Sequence, residues 1–97
     1  MATSICGHAE GTATLASGNY SHAEGQKTTA SGANSHAEGT SSKATGIDSH
    51  AEGNQSSATG TYSHAEGRVT TAAGSASHAE GNNSKTGATA DAAHAEG

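Results

Sequence analysis

Histidine and glutamate occur in this chain in one setting only. The tetrapeptide His-Ala-Glu-Gly begins at His8, His22, His36, His50, His64, His78 and His94, and it contains all seven histidines and all seven glutamates of the 97 residues. An imidazole two residues from a carboxylate can do three kinds of chemistry. The two can pair into a hydrogen-bonded or charged ladder, hold a divalent transition metal through nitrogen and oxygen donors, or work as an acid–base couple. Seven identical copies argue against the last, because an active site is a single constellation in a pocket. Apart from Cys6, read as an incidental thiol, no nucleophile stands outside the repeat. The chain is therefore expected not to be an enzyme.

The elements that must position these pairs follow from the spacing. The first six copies are 14 residues apart and the last step is 16. Glycine recurs every seven residues from Gly11 to Gly81, alanine every seven from Ala9 to Ala79, and Ser or Thr stands two before each alanine from Thr14 to Ser77. The unit is S-H-A-E-G-x-x followed by [ST]-x-A-[STA]-G-x-x. A seven-residue period of Ala and Gly lacks the large apolar knobs of a coiled coil, and glycine in a helix costs about 1 kcal/mol each time. Collagen requires glycine every third residue. Strands fit the pattern: Ser21–Gly25 and Thr28–Gly32 read as two strands of one coil, each followed by a two-residue corner, with glycine supplying φ > 0 at every corner. Alternation then places Ser, Ala and Gly on one face and His and Glu on the other. Burying the ionisable residues would be costly, so the small residues line the inside and His and Glu project outward. Parallel stacking at about 4.8 Å per coil makes a rod roughly 30 Å long.

Composition sets the limits of this reading. The chain has 14 glycines, no proline, tryptophan or phenylalanine, and a hydrophobic share of 30% that is mostly alanine. The large apolar residues are Met1, Ile5, Leu15, Tyr20, Ile47, Tyr62 and Val69. That excludes an ordinary globular core and a membrane-spanning helix, and no signal peptide is visible. Four scattered basic residues (Lys27, Lys43, Arg68, Lys85) in a chain of net charge −5 give no footprint for nucleic acid. One cysteine excludes an internal disulfide framework. A thin alanine core calls for oligomerisation as a supplement. Met1–Cys6 reads as a leader segment outside the repeat, 7–87 as the stacked coils, and 88–97 as an irregular terminal coil carrying the last His-Ala-Glu-Gly. The second outward face carries Leu15, Thr29, Lys43, Ser57, Thr71 and Lys85. It is too irregular for an ice-binding array and reads as solvated. Tyr20 and Tyr62 fall at corners and are expected to cover neighbouring strand ends.

The unit S-H-A-E-G-x-x-[ST]-x-A-[ST]-G resembles the head repeat of YadA-like trimeric autotransporter adhesins, S-V-A-I-G-x-x-S-x-A-x-G, over residues 7–87. Its His-Ala-Glu-Gly version resembles the repeat of phage tail and appendage proteins. The resemblance implies an all-β, left-handed parallel β-roll (a β-solenoid) that packs as a homotrimer. It implies a structural or adhesive rod in a phage fibre or bacterial surface adhesin, on a virion or a cell surface, with a host-cell surface or matrix ligand. The adhesins place Val and Ile at the trimer interface; this chain has His and Glu there. Carried over, His8, Glu10, His22, Glu24, His36, Glu38, His50, Glu52, His64, Glu66, His78, Glu80, His94 and Glu96 form an interchain polar ladder. The alternative is a metal-binding solenoid with a divalent transition metal on His22, His36, His50, His64 and His78; no other cofactor is expected. If the ladder is charged, each His pKa rises and each Glu pKa falls, and stability is greatest at mildly acidic to neutral pH.

Overall fold

The computed structural model describes residues 5–87 and 91–97, and in it each 14-residue unit forms one coil of an all-β parallel β-solenoid. The strands in chain order are β1 (His8–Thr12), β2 (Leu15–Ala16), β3 (His22–Gln26), β4 (Thr29–Ala30), β5 (His36–Thr40), β6 (Lys43–Ala44) and β7 (His50–Asn54). They continue as β8 (Ser57–Ala58), β9 (His64–Arg68), β10 (Thr71–Ala72), β11 (His78–Asn82), β12 (Lys85–Thr86) and β13 (His94–Glu96). Odd-numbered strands make a seven-stranded sheet and even-numbered strands a six-stranded one, each in chain order. Like residues pair with like: His22 with His36, Ala23 with Ala37, Glu24 with Glu38, Gly25 with Gly39. The rod measures 32 × 20 × 11 Å, matching the length expected from the coil count.

The core is ten alanines, from Ala16 to Ala79, all fully buried. Beside them lie the buried Ser and Thr residues two positions before each alanine. Their hydroxyls donate to backbone carbonyls: Ser21 to Gly18 O at 2.6 Å, Ser63 to Gly60 O at 2.6 Å, Ser42 to Gly53 O at 3.0 Å. A methyl-and-hydroxyl interior needs such bonds, because a buried unpaired polar group costs more than its apolar replacement. At the C-terminal end Thr86 takes the alanine position opposite Ala72, and its hydroxyl donates to Ser77 Oγ at 3.0 Å.

The two halves of the coil differ more than the sequence suggests. The first-half strand runs one residue later than expected, as His22–Gln26, and the second shrinks from Thr28–Gly32 to Thr29–Ala30. The cause is a shared acceptor: Ser31 N and Gly32 N both donate to Ala44 O, at 2.9 and 3.3 Å, which bends the chain away from the ladder.

Glycine also behaves in two ways, not one. Gly25 and its first-half equivalents have φ near +110° and are exposed, so they do not line the interior as expected. The second-half glycines are buried and show no positive φ; close approach to the next coil is common to both sets. A Cβ on Gly46 would lie 2.1 Å from Gly60 O in the next coil. The left-handed corner residue is the second one of each pair, and it is not glycine: Tyr20, Lys27, Asn34, Ser41, Asp48, Gln55, Tyr62 and Val69 all have φ between 57 and 61°, save Val69 at 56°. Each such strained residue that bonds upward closes the layer, as Lys27 N does to Thr12 O and Asn34 N to Asn19 O, both at 2.8 Å.

Ile5 and Cys6 form a corner pair of the same kind, with Cys6 at φ 55° and Ile5 O accepting from Tyr20 N. Residues 1–4 of the expected leader, and 88–90 of the expected terminal segment, lie outside the described residues. Residues 94–96 pair in register with β11. Tyr20 and Tyr62 are 59% and 62% exposed and so do not cover strand ends; their left-handed corner backbone turns them outward.

Candidate functional site

The long strands β1 to β13 place every histidine and glutamate of the repeat on one outward face. Strand alternation puts Ala23 inward and His22 and Glu24 outward, and in-register pairing repeats this in each coil. The result is two parallel files. The imidazoles stack with ring centroids 4.6–4.9 Å apart, and the planes of His22 through His64 lie within 3° of one another. That spacing is the strand spacing of a sheet, so the stack needs no adjustment of the backbone.

The two files are cross-linked in a zigzag. His36 Nε2 lies 3.6 Å from Glu38 Oε2 in its own coil and 3.9 Å from Glu24 Oε1 in the preceding one. His50 repeats this at 3.7 and 3.8 Å, and His64 at 3.6 and 3.5 Å. Each interior glutamate thus offers Oε2 to its own histidine and Oε1 to the next. Only His78 and His94 approach closely enough for a hydrogen bond, both at 3.4 Å to the preceding glutamate. The Nε2 atoms of His22, His36, His50 and His64 are buried and make no hydrogen bond. The side chains carrying them remain about one-third exposed. Beside the glutamate file runs a groove of about 1340 Å³, lined by the glutamates and the first-half glycines from Glu10–Gly11 to Glu96–Gly97.

The electrostatics overturn part of the expectation. Burial pushes the His50 pKa down, and the rings of His64 and His36 add to this; the attraction of Glu38 does not compensate. The surroundings of His50 thus favour its neutral form. Along the other file, Glu66 drops to about 2 because its carboxylate accepts hydrogen bonds from the carboxyls of Glu52 and Glu80. Glu80 moves up, because the adjoining Glu66 and Glu96 favour its protonated form. At Glu66 and Glu80 the neighbouring carboxyls thus push the two pKa values apart, one down and one up.

All fourteen expected ladder residues come together on this face. The groove was missed from the sequence; its signal was the first-half glycine, which leaves the space beside each glutamate open. The short-strand face, by contrast, brings together no set of like functional groups: Leu15, Thr29, Lys43, Ser57, Thr71 and Lys85 succeed one another. Comparison with protein-family models and with curated proteins gives no match to this chain. The class of protein is thus defined by fold and face alone, as a parallel β-solenoid with a stacked histidine–glutamate ladder.

Proposed function

We propose that the chain is a structural rod segment that associates with copies of itself through the His/Glu face. The observation that carries this is the uninterrupted ladder and its adjoining groove, which run through all seven long strands over an alanine-only core. The ladder side chains are about one-third exposed, so their outer surface is open to a second copy. A groove with the same lining in every coil suits a repetitive partner, and a second copy of this chain has the same period.

The resemblance of the repeat to YadA-like head repeats and phage appendage proteins favours three copies about an axis. On this reading the rod is a left-handed roll and serves as a spacer or a ligand-presenting segment in a phage fibre or bacterial adhesin, on the virion or the cell surface, facing a host-cell surface or matrix ligand. It has no catalytic part in that role. The test is the mass in solution. A trimer of 9.3 kDa chains weighs about 28 kDa (3 × 9.3); a monomer at micromolar concentration overturns the self-association reading.

A further inference from the structure

We propose that the ladder is a file of divalent transition-metal sites, each made of one histidine Nε2 and one oxygen from each of two successive glutamates, so that an interior glutamate bridges two ions. Three features of the ladder support such sites. First, Nε2 of His36, His50 and His64 is buried and unbonded, yet it faces carboxylate oxygens of its own coil and the preceding one. A nitrogen within 3.9 Å of two carboxylate oxygens can, in its unprotonated form, share a cation with them.

Second, the separations suit a shared ion. Across the histidines that meet two glutamates, nitrogen–oxygen distances run from 3.4 to 3.9 Å. These are too long for good hydrogen bonds. For ligand lengths of about 2.1 Å they correspond to ligand–metal–ligand angles of roughly 110–135°, the range of an open tetrahedral or trigonal site.

Third, the ring geometry chooses between groupings. Each pair of adjacent histidines with the glutamate between them has its donor atoms within 4.8 Å of one another. A site using both rings would need their in-plane lone pairs to converge. Rings parallel within 3° point their lone pairs side by side, so two imidazoles cannot close on one ion without tilting out of the stack. One ring with two carboxylates needs no such movement. Imidazole nitrogen with carboxylate oxygen suits Zn²⁺, Co²⁺ or Ni²⁺, and water completes each ion's shell. One glutamate charge per ion leaves net positive charge in each layer, so binding weakens as the file fills.

The proposal shares the ladder with the self-association reading but does not require it, because all three protein donors come from one chain. Two carboxylate contacts meet at His36, His50, His64, His78 and His94. The full chain, freed of metal with a chelator, is titrated with Zn²⁺ by calorimetry and with Co²⁺ by visible absorption. The expected result is saturation at about five ions per chain, with the absorption of nitrogen- and oxygen-bound cobalt. His50→Gln removes one site. Glu52→Gln removes two, because Glu52 serves His50 and His64. Absence of Zn²⁺ heat and of a Co²⁺ spectrum in the wild-type chain overturns the proposal without recourse to any variant. Equal losses in the two variants overturn the bridging arrangement. The mass of the chelated protein is read separately: a monomer that takes five ions removes self-association alone, and a trimer that takes none removes the metal file alone.

Discussion

The two sheets of this rod obey one backbone rule and differ in everything that reaches outward. Both halves of the coil bury an alanine and a hydroxyl residue in each layer, at the same seven-residue interval. The long-strand sheet then repeats His and Glu without exception, whereas the short-strand sheet places Leu, Thr, Lys or Ser at one and the same position. Inward positions are constrained by packing and outward ones are not, so identity on an outward face calls for a cause other than the fold. On the proposed reading that cause is what binds to the file, and the varied face is the one left to solvent.

Among substitutions, the largest effect is expected from the shared backbone rule. Gly46→Ala sets a methyl against Gly60 O with no flexible side chain to yield. We expect a loss of roughly 4 kcal/mol or more, or failure to fold, in a denaturant melt. An unchanged melt would mean that the coils do not approach as closely as described. A smaller effect of opposite sign is expected at the corners. Val69 is β-branched and held at φ 56°, where Asn83 sits at 65° in the equivalent corner position one coil on. Val69→Asn should stabilise the rod by about 1 kcal/mol, since the left-handed region costs an ordinary residue about 1–2 kcal/mol and Asn tolerates it better.

Next comes pH, which separates the two faces. A folded-state pKa below the unfolded value means that the unfolded chain binds the extra proton. The stability His50 contributes is therefore present above its ordinary value of 6.5 and is lost as pH falls through it. Glu66 follows the same sign lower down, from 4.5 towards about 2. Glu80 has the reverse sign: its raised pKa stabilises the fold in acid, and that contribution fades as pH rises through the folded value. In chelator, the melting temperature should fall between pH 8 and pH 5, and His50→Gln should flatten that fall. A rise on acidification would mean charged histidines. The smallest effect is expected on the short-strand face, where Thr71→Lys should leave stability within about 0.5 kcal/mol, Lys already standing at Lys43 and Lys85 in the same file. A larger loss would show that this face too is covered.

Much of this was legible in the chain, for a physical reason. A solenoid coil pairs each residue with its own counterpart one repeat away, so the repeat length is also the strand register. The buried alanines and the outward His and Glu follow from alternation alone. What was not legible depended on the third dimension. Ser31 and Gly32 look like strand residues until both amides turn to one carbonyl, Ala44 O. The left-handed corner residue is Cys, Ala, Tyr, Lys, Asn, Ser, Asp, Gln or Val from coil to coil, so no residue type marks it. Glycine marks positive φ near the end of the long strands, as at Gly25, but not at the left-handed corner residue two positions later. The lowered pKa of His50 depends first on the burial of its ring and then on the neighbouring rings 4.7 Å away, neither of which the residue order states.

The contrast between the faces is tested most directly by measuring mass in solution for two charge-altering variants side by side. Glu52→Arg lies in the ladder and Ser57→Arg on the short-strand face of the next half-coil. The account predicts that the Ser57 variant keeps the assembled mass of about 28 kDa (3 × 9.3) while the Glu52 variant falls to the 9.3 kDa of a single folded chain. Assembly that survives Glu52→Arg and is lost with Ser57→Arg would contradict it.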